Sequence, residues 1–187
     1  MSLLSEISIG WEYAWWFPAV YALITIVVIT IHGRAFVKRF FRFPESTSFK
    51  GKIPTTLSAT LFGRVLMICS VFVPLQLNTV WFWIGVLIFT VGAILTTLAM
   101  IDFATTPHDQ PVTKGMYRIS RNPVQVLAMI MWVGVGIAAT SWIVIVASLL
   151  LAIVSFPSFL VQERSCLKLY GNAYYEYIRS TPRYLFF

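Results

Sequence analysis

Five apolar runs set the limits on what this chain can fold into: about Tyr13–Ile31, Leu57–Leu75, Val80–Ile101, Val124–Ala139 and Trp142–Val161. A helix needs about 20 apolar residues to cross a hydrocarbon core of about 30 Å. The first, third and fifth runs meet that length comfortably. The fourth is short and needs its flanks, a tilt or a locally thin bilayer. Composition points the same way. Hydrophobic residues make up 58% of the chain and charged ones 11%, against roughly 25% charged in soluble domains. The expected fold is therefore an all-α, multi-pass membrane bundle with about five transmembrane helices, forming one domain over residues 1–187.

The connectors order the bundle. Gln76–Thr79 and Thr140–Ser141 are short and uncharged, and read as tight hairpins at one end. The other connectors hold the cations. Arg34, Lys38, Arg39, Arg42, Lys50 and Lys52 follow run one; Lys114, Arg118 and Arg121 follow run three; Arg164, Lys168, Arg179 and Arg183 follow run five. Thirteen of the fourteen Lys and Arg residues thus fall at one end. Cytoplasmic loops of membrane proteins carry such an excess. The N-terminus is expected outside, and the large loops and C-terminus in the cytoplasm. A net charge of +7 distributed in this way is no nucleic-acid footprint. Met1–Gly10 has no Lys or Arg, so a cleavable signal peptide is not expected, and a prokaryotic plasma membrane fits best.

Individual residues refine the picture. Trp11, Trp15 and Trp16 form an interfacial belt before run one. The connector from Arg34 to Thr55 is basic and aromatic, suited to anionic headgroups. Arg64 is the one ionisable residue well inside a run, so it either snorkels or meets an acidic ligand group. Gly134, Gly136 and Ala138 are small enough for close helix approach. Pro157 is expected to kink run five, and Gly171 to divide the helix that follows it. Cys69 and Cys166 have no metal or redox spacing and read as free thiols. His32 and His108 are too few and too far apart for a metal site. Neither a phosphate-binding glycine loop, nor HExxH, nor CxxC occurs.

Chemistry is therefore expected where polar groups concentrate. His108 to Pro123 is the longest polar interruption in the second half of the chain. It faces a C-terminal segment around Glu163. Asp102, His108, Asp109, Tyr117, Arg121, Asn122, Glu163 and Arg164 can converge there. Glu163 suits an ammonium group and Arg121 a carboxylate. The competing structural role for Glu163 is a salt bridge to Arg164 or Lys168.

The stretch Pro111-Val-Thr-Lys-Gly-Met-Tyr-Arg-Ile-Ser-Arg-Asn-Pro123 resembles the hallmark loop of the isoprenylcysteine carboxyl methyltransferase and phospholipid methyltransferase superfamily. One helical hairpin later come Gln162-Glu163, Leu167, Tyr170-Gly171, Tyr174, Tyr177 and Pro182-Arg183, which resemble its second motif. The likeness spans about Phe89 to Arg183, so residues 89–187 read as a methyltransferase-like core after N-terminal spans and connector in 1–88. It implies a membrane enzyme that uses S-adenosyl-L-methionine, in a cytoplasmic pocket between the loop before helix 4 and the C-terminal helices. Carried over by position, His108, Pro111, Val112, Gly115, Tyr117, Arg121, Asn122, Pro123 and Glu163 would bind the cofactor. Tyr117, Arg121 and Asn122 would act at the reacting centre. Asn122 stands where the family has His, and Gln162 where it has Glu.

The acceptor implied is lipophilic: a prenylated cysteine carboxylate, a phospholipid amine or a small lipid metabolite, reached from the membrane lipids. A carboxylate needs no base at neutral pH; an amine, hydroxyl or thiol does, and His108 or Tyr117 would serve. A relative that kept the fold without the cofactor, and a membrane lipid or sterol reductase, are the competing readings. The sequence carries no sign of oligomeric state. The orientation is checked by a C-terminal reporter active only in the cytoplasm; signal is expected, and silence would reverse the topology.

Overall fold

The computed structural model describes residues 12–40, 65, 68 and 70–184. Arg64, Cys69, Trp11, the connector beyond Phe40 and most of the second run lie outside the described residues. Among them the chain is all-α, with no strand. Helices α1 (Trp16–Phe40), α2 (Val80–Thr105), α3 (Pro123–Ala138), α4 (Trp142–Tyr170) and α5 (Asn172–Ser180) follow in order, with a short 3₁₀ turn at Gly115–Arg118.

Where the apolar runs are described they are helical, with revised ends. Run one does not stop at its cations; α1 continues through Arg34 to Phe40, since no Pro intervenes before Pro44. Run two loses its last residues to irregular chain: helix is left at Phe72, and Pro74 pairs instead with Tyr13 in an isolated antiparallel bridge. Thr79 caps α2, its hydroxyl accepting from the Phe82 amide at 3.2 Å. Pro123 stands at the first position of α3, where its missing N–H costs nothing. Pro157 lies inside α4 without ending it. Gly171, at φ +57°, separates α4 from α5.

Two of these helices, over Trp16–Gly33 and Val80–Thr105, are long and apolar enough to cross a membrane. At 1.5 Å per residue, the 26 residues of α2 span about 39 Å. Their outer surfaces suit lipid rather than water. Leu23 on α1 and Val80, Trp83 and Leu87 on α2 are all more than 60% exposed. A water-soluble monomer rarely presents such a continuous apolar surface.

With no water to drive helices together, association in lipid depends on close packing. The chain supplies it between α2 and α3. A β-carbon added at Gly134 would lie 2.9 Å from the Gly85 carbonyl oxygen and the Phe89 amide. One added at Gly85 would collide with the Ala138 backbone. Phe17, Phe89, Met131, Trp132 and Val135 fill the centre, with the Phe17 and Phe89 rings edge to face at 4.6 Å. The antiparallel packing puts the connector before α2 and the short α3–α4 turn at one end, where the Gln76 amide meets the Ala138 carbonyl at 3.4 Å. The start of α1 is there too, its Ala14 amide bound to Val73. The polar loop and the C-terminal segment are left at the opposite end.

Gly85→Ala is expected to destabilise the protein by about 1–3 kcal/mol through overpacking. Gly33→Ala meets nothing nearer than Ile29 of its own helix at 3.7 Å and should be neutral or slightly stabilising. Thermal unfolding in one detergent compares them; equal effects would mean that the α2–α3 contact does not limit stability.

Candidate functional site

The site is assembled around one carboxylate. Glu163, near the end of α4, is 6% exposed. Its Oε1 and Oε2 accept from Nε and Nη2 of Arg183 at 2.9 and 2.8 Å. Nη1 of Arg121 lies 3.2 Å from Oε1. The paired hydrogen bonds from Arg183 form the planar fork that guanidinium and carboxylate geometry favours. So Glu163 binds cations from 42 and 20 positions away, not Arg164, which stays exposed. The Arg183 guanidinium is pushed above its ordinary pKa, chiefly by its hydrogen bond to Glu163.

Further bonds join the loop to the tail. The Arg121 amide donates to the Pro182 carbonyl at 3.0 Å. The Ser120 hydroxyl, fully buried, donates to the Arg183 carbonyl at 3.0 Å and accepts from the Asn122 amide at 3.1 Å. The Tyr177 hydroxyl donates to the Tyr117 carbonyl at 2.6 Å. A longer contact, 3.4 Å, runs from the Tyr170 hydroxyl to the His108 carbonyl. Gly171 permits this closure, since its turn directs α5 back across the loop. Burial pushes the Tyr174 and Tyr177 phenols above their ordinary pKa, with Arg121 opposing the shift at Tyr177. The Tyr177 phenol stays protonated as it donates to Tyr117.

The loop is pinned from α2 as well. Oδ2 of Asp102 accepts from the Met116 amide at 3.1 Å, and Nζ of Lys114 donates to the Thr105 hydroxyl at 2.8 Å. Gly115 has φ +56°, and a β-carbon there would collide with the Asp102 carboxylate. Glycine is thus required twice, by conformation and by space.

The expected site residues mostly gather here. Val112, Asn122 and Pro123 are buried, and His108, Pro111, Tyr117 and Arg121 half-buried. Gly115 is exposed on the loop, and Asp109 is exposed and makes no part of the cluster. Asn122 Nδ2 and Arg121 Nε are buried without a hydrogen-bond partner among the described residues. Sequence reasoning gave no role to Ser120, placed Tyr177 and Arg183 in the second motif without a site role, and named Asp102 only among the groups that could converge. The Pro182-Arg183 pair at the end of the second motif was the signal available for Arg183. A lone acid at the foot of an apolar run, 13 residues before Gly115, was the signal for Asp102.

Gly115→Ala is expected to cost at least about 2 kcal/mol more than Gly171→Ala, whose added β-carbon meets nothing within 4 Å and bears only the conformational penalty of about 1–3 kcal/mol. Denaturation of both variants decides it; an equal or larger loss at Gly171 would mean that the Asp102 contact does not fix the loop.

The site's two walls and the helices bearing them lie largely within a recognisable family region. The phospholipid methyltransferase family pattern matches residues 69–173, more than half of the chain, from the end of run two to the start of α5. No curated protein and no solved structure matches the chain. The polar loop, the α3–α4 hairpin and Glu163 all fall inside the matched region, and on this match the chain belongs to the phospholipid methyltransferase family, part of the integral membrane methyltransferase superfamily that includes the isoprenylcysteine carboxyl methyltransferases.

Proposed function

We propose that this protein transfers a methyl group from S-adenosylmethionine to a lipophilic acceptor at the cytoplasmic face of a membrane. The observation that carries this reading is the meeting of the two motif segments. Loop residues Tyr117, Ser120 and Arg121 are bonded to Tyr177, Pro182, Arg183 and Glu163. These are the segments that carry the two family motifs, and the fold brings their polar groups together at one end of the bundle.

The residues fit a polar, zwitterionic cofactor. Two buried N–H groups, on Arg121 and Asn122, lack acceptors among the described residues, and the loop from Pro111 to Tyr117 is held in place by Asp102 and Tyr177. Pro111, Val112, Gly115, Tyr117, Arg121, Asn122 and Pro123 would contact it. Glu163 would act beside it by orienting Arg121. The sulfonium, when bound, supplies an activated methyl group. The protein's part is then alignment in a water-poor pocket, which can account for much of a rate enhancement. A carboxylate acceptor would need no base. An amine acceptor would need His108 or Tyr117 to take its proton, since Asn122 cannot.

Multi-pass topology belongs to the same proposal. The apolar stretches of α3 and α4 would complete the crossing begun by α1 and α2, with the second run among them. Residues 1–187 would form one membrane domain, its 89–187 portion holding the cofactor and its N-terminus outside. The lipid-facing surface of α1, α2 and α4 supports this reading.

Calorimetry of detergent-purified protein with S-adenosylhomocysteine tests the function. Micromolar binding is expected. Glu163→Ala should abolish it, because losing one partner of a buried ion pair leaves its cations uncompensated, at a cost of about 3–5 kcal/mol. Glu163→Gln, which keeps the shape, should weaken binding less. Absence of binding by the unmodified protein, in detergent and in nanodiscs, would favour a relative that kept the fold and lost the chemistry.

A further inference from the structure

We infer that Ser120 is a positioning residue: its hydroxyl holds the Asn122 backbone so that the Asn122 side chain is turned away from α3 and stays free for the methyl donor. The part played toward the donor rests on the methyl-transfer reading; the hold on Asn122 does not.

Ser120 lies outside the residues expected to bind or react, yet it is fully buried. A hydroxyl has one proton to give and lone pairs to receive with. The proton goes to the backbone carbonyl of Arg183 at 3.0 Å, 63 positions along the chain. With the proton committed, the oxygen presents its lone pairs to the loop, and the Asn122 amide donates to it at 3.1 Å. The neighbouring residue repeats the pattern in the backbone, the Arg121 amide donating to the Pro182 carbonyl at 3.0 Å. Two successive carbonyls of the tail thus anchor two successive residues of the loop, and the anchor reaches Asn122 through one side-chain oxygen.

The effect of that hold lies at the start of α3. Asn122 is the N-cap of this 16-residue helix. Asparagine favours such positions because its side-chain oxygen accepts an amide of the first turn, with the cap residue ordinarily in extended backbone. Here the torsions are φ −129° and ψ 52°, and the side chain makes no capping bond. Asn122 is 6% exposed, and its Nδ2 is buried without a partner among the described residues. The fold gives up a cap and leaves a donor unmet, a local loss of the kind that proteins accept at functional positions.

The departure at position 122 makes the hold necessary. Histidine, which the family has there, carries no side-chain oxygen with which to cap. Asparagine does, so it turns back onto its own helix unless its backbone is fixed. Without the Ser120 hydroxyl, the Asn122 amide and the Arg183 carbonyl lose their partner. The cap residue can then relax to the extended form, and its side chain leaves the site for the first turn of α3.

The experiment uses the full chain in detergent, with isotope-labelled asparagine. The chain has three asparagines, Asn78, Asn122 and Asn172, so Asn122→Ala identifies the Asn122 amide resonances by their loss. In Ser120→Ala the backbone and side-chain resonances of Asn122 should move while those of Asn78 and Asn172 stay. Ser120→Thr, which keeps the hydroxyl, should return them. Ser120→Cys, a weak donor and acceptor, replaces the alanine variant if its melting curve shows no folded state. S-adenosylhomocysteine, titrated calorimetrically, should bind about tenfold more weakly to Ser120→Ala than to the unmodified protein, but less than about twofold more weakly when Ser120→Ala is added to Asn122→Ala. Unmoved Asn122 resonances overturn the inference, and so do shifts at all three asparagines, which would mark general loosening. Equal losses of binding in the two backgrounds overturn the action through Asn122. If the unmodified protein binds no S-adenosylhomocysteine while Ser120→Ala moves the Asn122 resonances alone, the methyl-transfer reading fails and the hold on Asn122 stands.

Discussion

The polar end of this molecule depends on how one buried carboxylate is neutralised. Glu163 sits where water is scarce, and an isolated charge there would be expensive. Arg183 and Arg121 meet it from two different segments. Neither segment can move without exposing an unpaired charge. The electrostatic requirement thus becomes a geometric one: the tail after α5 must lie along the loop before α3. The backbone bonds from Arg121 to Pro182 and from Ser120 to Arg183 follow from that alignment. Buried ion pairs contribute little net stability against an apolar core, yet breaking one is costly. Here the pair specifies an arrangement more than it strengthens one.

The apolar part of the molecule supplies the frame. Lipid does not push helices together, so the frame relies on surfaces without side chains. Gly85 and Gly134 bring the α2 and α3 backbones into direct contact. That fixes the height of Asp102 relative to Gly115, and so the position of the loop at the foot of α2. Packing near one end of the bundle and the placing of polar groups at the other are linked through two stiff helices.

Much of this was legible in the residues. The tight turn at Thr140–Ser141, the division at Gly171 and the pairing of the loop with the Glu163 segment all follow from hydropathy, glycine placement and two linked motifs; the connector before α2 is longer than Gln76–Thr79, since helix is left at Phe72. Other features were not. The expected partners of Glu163 included Arg164 and Lys168, because sequence makes neighbours conspicuous; Arg121 and Arg183 are distant in the chain and near only in the fold. The extension of α1 past its cations was missed because charge marks a membrane boundary, which need not be a helix boundary. Ser120 looked like a loop residue, and only its burial gives it two bonds.

What the sequence determined by itself was the solvent each segment requires. Apolar runs of this length must be helices with satisfied backbones, and the motifs they separate fix the family. Only the tertiary structure decided which donors and acceptors found each other. It spent Glu163 on two guanidiniums and left Asn122 and Arg121 with N–H groups unmet. Hydrogen bonds act over about 3 Å, a scale on which spacing along the chain carries no information until the helices have packed.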